Sequence, residues 1–237
     1  MTSKGLLLDT AEHGSLVSET EFNEWYESNH TFAHLSQPGF NSAAIFKTHD
    51  GEKPSWVGVY ELSSTAAVNR SHLTKRNGNE VFSKLESLDR GVFKLVHTVV
   101  SAKATPEVLN TTCPYLCVVE SSVSDEVHDE YNKWYIEHCE DIATAPGCIR
   151  GRRYKLETRE ELAGKPQVGE HYQHRYVVIW EWDSDTYYTD ERNPELLRAA
   201  TTQESLAMLP RIKMVFRRFK LQRGYKKFEI QSPKNTN

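Results

Sequence analysis

The sequence has little cysteine and none of it in a metal-binding pattern. Cys113, Cys117, Cys139 and Cys148 form no Cys-x-x-Cys pair, so they read as reduced thiols of a cytoplasmic protein. No apolar run approaches the ~18 residues that a membrane helix needs. The Leu6-Leu7-Leu8 run is too short for a secretory leader, and no membrane partner is expected. Gly-x-Gly-x-x-Gly and P-loop patterns are both missing, and "GLLLDTAEHGS" lacks a nucleophile elbow. No cofactor is therefore expected. His171 and His174, beside Glu170, have a loose metal-like spacing on a polar stretch, too weak a signal to predict a metal. The net charge of −4 gives no general attraction to nucleic acid. A basic stretch from Arg211 to Lys227 is the local exception, and it reads as a solvated strand.

What is present is a repeat. "WYESNHTFAHLSQPG" (25–39) and "WYIEHCEDIATAPG" (134–147) each place a His after Trp-Tyr and start Pro-Gly eight residues after that His. Elements of the same kind surround both. In the first half, 4–11 reads as a strand, and 18–36 as a helix opened by a capping box, Ser18 with Glu21. Strands follow at 40–49 and 55–63, then a helical region at 64–88 and a strand at 91–102. The second half repeats this with strands at 115–123, 148–157, 175–184 and 211–222 and helices at 124–145 and 193–209. The predicted halves are 1–105 and 106–237, joined through 103–112. The order β-α-β-β-α-β is the ferredoxin-like arrangement, an α+β fold with helices on one sheet face. The bare face needs a cover, and a second copy in the same chain can supply it. The expected architecture is thus a pair of ferredoxin-like units whose antiparallel sheets pack into a pseudo-dimeric barrel.

The segments "FNEWYESNH…PGF" and "YNKWYIEH…PGCIRGRRY" resemble the helix-plus-strand signature of EthD-like proteins in the dimeric α/β-barrel superfamily. The resemblance covers about 150 of the 237 residues. It implies ligand pockets and a range of chemistries: cofactor-free monooxygenases, lactone isomerases, polyketide cyclases, EthD-type decarboxylases or dehydratases, and haem proteins. Fold alone does not choose among them. Two departures stand out. His30 lies five residues after Trp25, whereas His138 lies four after Trp134, and one residue turns a helix position by about 100°. The two His would point differently unless a local bulge restores the phase. The family's Glu before His is Glu137 in the second half but Asn29 in the first.

The halves also differ in their second strands. Ser42, Ala44 and Phe46 stand where the second half has Arg150, Arg152 and Tyr154, on one face by strand alternation. The second half is therefore the expected active half and the first mainly structural. His138 is the candidate acid–base group. Arg150 and Arg152 are candidates to hold a carboxylate or oxyanion, with Glu137, Asp141 or Glu181 as alternative anionic partners. Tyr135 and Tyr154 are candidate proton donors. Trp134, Tyr176, Trp180 and Trp182, with His30 and His97, are candidate substrate contacts.

Plainer readings compete with each. Trp25 and Trp134 suit a helix–sheet core, Arg150, Arg152 and Arg153 suit surface ion pairs, and His97 suits a satisfied core position or a haem ligand. The leading expectation is a cofactor-free lyase or isomerase of secondary metabolism, acting on an aromatic or polyketide-like small molecule, as a monomeric pseudo-dimer or a homodimer. The alternatives are a non-catalytic ligand-binding barrel and a haem- or oxygen-using oxidoreductase.

Overall fold

The structure, a computed structural model, describes residues 4–68, 80–164, 176–185 and 193–226. Eight antiparallel strands close a barrel in the order β1-β3-β2-β8-β5-β7-β6-β4. They are β1 (Gly5–Glu12), β2 (Phe40–Thr48), β3 (Trp56–Leu62), β4 (Ser87–Val100), β5 (Tyr115–Ser122), β6 (Cys148–Gly164), β7 (Tyr176–Trp182) and β8 (Lys213–Lys226). In each half the first strand lies between the third and the fourth, which is the ferredoxin-like order. The halves join along two seams, β2 with β8 and β4 with β6. Closure leaves no free sheet edge.

Strand alternation sorts the side chains into two layers. Leu6, Leu8, Phe46, Val59, Leu116, Val118, Ile179 and Phe219 fill the barrel. Leu7, Tyr60 and Leu62 in one half, and Cys117, Trp180 and Trp182 in the other, face outward beneath the helices. The first-half helix begins as α1 (Glu19–Trp25), continues through a π-helical turn (Tyr26–Thr31) and ends as α2 (Phe32–Leu35). Its capping box is formed, with Ser18 and Glu21 bonding each other's backbone. Two short helices follow, α3 (Glu80–Lys84) and α4 (Pro106–Leu109). The second half carries α5 (His128–Ala143), α6 (Pro194–Ala200) and α7 (Gln203–Met208). Both long helices stop at Pro-Gly, where Gly39 (φ 87°) and Gly147 (φ 81°) take the left-handed conformation that other residues resist.

Two sequence expectations need correction. The polar run after Glu157 continues β6 as far as Gly164, and β4 starts at Ser87, inside the stretch read as helical. Cross-strand charge pairing compensates for the missing apolar alternation there: Arg159 donates to Asp89 at 2.7 Å. The basic stretch lies along β8 and is largely paired within the chain. Arg217 binds the carbonyls of Glu52, Lys53 and Pro54, and Arg211 meets Glu130 at 2.9 Å. His171, His174 and Glu170 lie outside the described residues. No described helix is long and apolar enough to cross a membrane.

Candidate active site

The barrel wall divides the residues singled out in the sequence. Arg150, Arg152 and Tyr154 point into the barrel, whereas α5 packs on the outside and carries Trp134, Tyr135 and His138 with it. The expectation of one pocket uniting His138 with the two arginines is thus corrected. A strand sends alternate side chains to opposite faces, and a helix on one face cannot reach the other. Trp180 and Trp182 go outward, and Glu181 between them goes inward.

Outside the second sheet, a cavity of about 380 Å³ lies between α5, α6 and the β-strands. Tyr135, His138, Val119, Trp180, Trp182 and Phe216 are among its walls. Gly151 makes room for one wall: a Cβ there would meet the Trp180 ring at 2.4 Å. His138 stacks on Trp134, ring centroids 4.5 Å apart at 20°. Burial pushes its pKa down to about 4, although the Ala199 carbonyl and the charge of Asp141 pull the other way. Its Nδ1 is buried without a hydrogen-bond partner. The lowered pKa leaves the imidazole neutral near pH 7.

The pseudo-symmetric place in the first half is filled. The registers Gly5↔Leu62 and Tyr115↔Trp182 equate Asp9 with Val119, Tyr60 with Trp180, and Glu61 with Glu181. Asp9 faces Arg90, as Val119 faces Phe216. Arg90 donates from Nε and Nη2 to the two Asp9 oxygens, each at 2.7 Å, and from Nη2 to His34 Nε2 at 2.7 Å. His30 donates to Asp9 at 2.8 Å. Burial opposes ionisation of Asp9, but the Arg90 charge, its hydrogen bonds and His30 outweigh it, so the carboxyl pKa is lowered. Burial, then Arg90 and His30, hold His34 well below its usual range and neutral. Asp9, His30 and His34 have metal-ligand geometry, but both carboxylate oxygens already serve the Arg90 guanidinium. The donor set fits a buried cation supplied by the protein and not a metal ion.

The remaining candidates fall outside the His138 cavity. Trp134 is core, its Nε1 donating to Ser205 at 3.2 Å. Tyr176 shares a 2.6 Å hydrogen bond with His128 and, with Tyr131 and Tyr135, encloses Arg153. That buried Arg153 replaces the surface ion pair weighed for it. His97 sits 3.9 Å from Glu140 of α5 and lines neither large cavity. It is not the substrate contact expected of it in these cavities, because a register shift between Leu95 and His97 turns it toward the second-half helix. It is not placed to hold a haem in either cavity.

Inside the barrel, Arg150 and Arg152 meet Glu181, and Arg152 also meets Glu61, at the edge of a second cavity of about 350 Å³. Tyr154 lies among the apolar core. At the opposite end, Arg159 bridges Asp89 and Glu120. Burial raises the Asp89 carboxyl to about 6 despite Arg159. Sequence reasoning missed Asp9, His34, Arg90 and Glu61. The repeated Glu at the sixth position of "WVGVYEL" and "YVVIWEW" was the available signal for Glu61.

Neither a protein-family model nor a curated protein matches the sequence. Solved structures do match. An anthrone oxidase-like protein superposes with a TM-score of 0.60 at 13% identity, covering 98% of this chain and 96% of its own. A candidate monooxygenase from Lactobacillus acidophilus gives 0.54 at 8% identity, covering 95% and 97%. A chlorite dismutase from Candidatus Nitrospira defluvii gives 0.53 at 11% identity, covering 94% and 92%. At such identities the likeness speaks for the fold. The chain has the ferredoxin-like, dimeric α/β-barrel fold, with both sheets supplied by one polypeptide.

Proposed function

We propose that the chain is a small-molecule enzyme of EthD-like type whose second-half cavity binds a flat aromatic or polyketide-like molecule and removes a proton from it with His138. The observation that carries this is the buried, unpartnered Nδ1 of His138 in an aromatic-walled cavity. Burial penalises a lone imidazolium. It penalises much less an imidazolium formed beside the enolate or phenolate that the same proton transfer creates, since the opposite charges attract strongly in a dry site. The proton goes to the imidazole and the electron pair stays on the substrate.

Tyr135 shares the cavity, and burial keeps its hydroxyl protonated well above the usual range, as a donor toward developing negative charge. Trp180 and Trp182 supply flat walls. Returning the proton to another carbon gives isomerisation; giving it to a departing hydroxyl group releases water, a dehydration; and giving it to the carbon that bears a carboxylate, with release of carbon dioxide, gives decarboxylation. Arg150 and Arg152 take no part here, because the barrel wall intervenes.

A second reading uses the same first step. The substrate carbanion would pass its electrons to dioxygen, in keeping with the oxidase- and monooxygenase-type names of the similar structures. Turnover of a panel of hydroxylated aromatic ketones and acids, with and without oxygen, separates the two. Ala200 lines the cavity, and Ala200→Phe would block it. The account expects turnover that falls at least about 10-fold in that variant with the fold intact. Turnover unaffected by the block would contradict it. Activity that survives without oxygen favours proton transfer, and activity that vanishes favours the oxidative route.

A further inference from the structure

We propose that the mouth of the barrel is a second ligand site, separate from the His138 cavity, and that it takes a small organic carboxylate with an apolar tail. Its cavity of about 350 Å³ is of ligand size. Three cationic side chains, Arg150, Arg152 and Lys226, line it against two anionic ones, Glu61 and Glu181, an excess of one positive charge.

The donors are not exhausted by the internal ion pairs. Arg152 is only 8% exposed and gives Nη1 to Glu61 and Nη2 to Glu181, but its Nε is buried with no partner. Arg150 bonds Glu181 through Nε and Nη2, at 2.8–3.1 Å, so its Nη1 remains to meet a ligand at the cavity edge. A carboxylate at the cavity edge would meet Arg150 Nη1 and the positive charge of the neighbouring Arg152 guanidinium. Guanidinium groups match a planar carboxylate, and the charge excess calls for a single negative charge rather than the two of a phosphate.

The rest of the lining sets the tail. Ala44, Phe46, Val59 and Leu116 lead inward from the charged rim. The first half contributes this smoothness, because its Ala44 and Phe46 stand where the second half has Arg152 and Tyr154. Cys113 also lines the cavity, but burial and then Glu181 push its thiol pKa well up. It is a neutral thiol, so the site reads as one for binding rather than nucleophilic attack. The site does not depend on the chemistry at His138. Val118 and Ile179 face the barrel while Val119 and Trp180 face the other cavity.

The test is titration calorimetry with benzoate and hexanoate against benzamide and hexanamide. The full chain is compared with Arg150→Gln, Ala44→Phe and Ala200→Phe. The expected result is saturable binding of the acids at least about 10-fold tighter than of the amides. That binding falls about 10-fold or more in Arg150→Gln and Ala44→Phe and is unchanged in Ala200→Phe, which fills only the His138 cavity. Should Ala44→Phe fail to fold, the Arg Nε–H resonances of the unmodified chain decide: benzoate should shift that of Arg152. No saturable binding, equal affinity for acids and amides, or loss confined to Ala200→Phe would each overturn the proposal.

Discussion

His30 and His138 occupy equivalent places on two copies of one scaffold, yet they have opposite surroundings. Each packs on its own Trp-Tyr pair: Trp25 and His30 centroids are 4.9 Å apart, Trp134 and His138 4.5 Å. The extra residue before His30 is absorbed by the π-helical turn at Tyr26–Thr31, which restores the phase that an uninterrupted α-helix would lose. Beyond that, the halves part. Asp9, Arg90 and His34 fill the first-half space with hydrogen-bonded charge. Val119, Phe216 and Ile142 leave the second-half space apolar and open. One half has a buried network, the other a cavity with His138 in its wall. Duplication supplied two similar scaffolds, and three side-chain differences determine which one has room for a ligand.

The comparison can be broken most severely at Arg90, which is 3% exposed. Arg90→Met leaves Asp9 as an uncompensated buried charge and should cost about 3–5 kcal/mol in urea unfolding. Its counterpart Phe216 is 50% exposed, and Phe216→Ala should cost under about 1 kcal/mol. Equal losses would mean that the Asp9 network does not hold the first half together.

Acid should test the buried His138 next. His138 has its pKa lowered from 6.5 to about 4, so the unfolded chain binds the extra proton between those values. Stability should therefore fall as pH drops from 6.5 toward 4, by up to about 3 kcal/mol from His138, and His138→Gln should remove that share of the slope and leave the share of His34, which burial also holds neutral. Asp9 behaves otherwise. Its lowered pKa gives stability that is present above its ordinary 3.8 and is lost only as pH falls below that, through the folded value. A slope unchanged by His138→Gln would show that the imidazole is not buried neutral.

The helix insertion predicts the smallest effect. Deleting exposed Ser28 from the π-helical turn should restore plain α-helix and shift the melting temperature by only a few degrees, roughly 1 kcal/mol. Deleting Glu137 from α5 should do far more harm, because it swings every later side chain by about 100° and takes His138 out of its cavity. Comparable damage from both deletions would argue that the π turn does not serve to restore phase.

The repeat made the architecture legible. Pro-Gly stops, the Ser18 capping box and paired aromatic spacings are local signals, and local signals survive folding. The shared face of Arg150, Arg152 and Tyr154, and the shared face of Trp180 and Trp182, were legible for the same reason. Which face turns into the barrel was not, since that depends on how two sheets close on each other. Nor was Asp9 legible as a partner of Arg90, which is 81 residues away in sequence and is brought opposite only by β1–β4 pairing. The extension of β6 was hidden because its charged residues pair across the seam instead of burying an apolar face.

The most direct measurement compares His30→Ala with His138→Ala for turnover and for melting temperature in parallel, using a substrate found in the panel above. The account predicts that His138→Ala cuts turnover by about 10²–10⁴ while the fold persists. It predicts that His30→Ala, which removes a hydrogen bond to buried Asp9, lowers the melting temperature and leaves most of the turnover of the folded fraction. Near-normal turnover in His138→Ala, or a loss of chemistry confined to His30→Ala, would contradict the assignment of the active site to the second half.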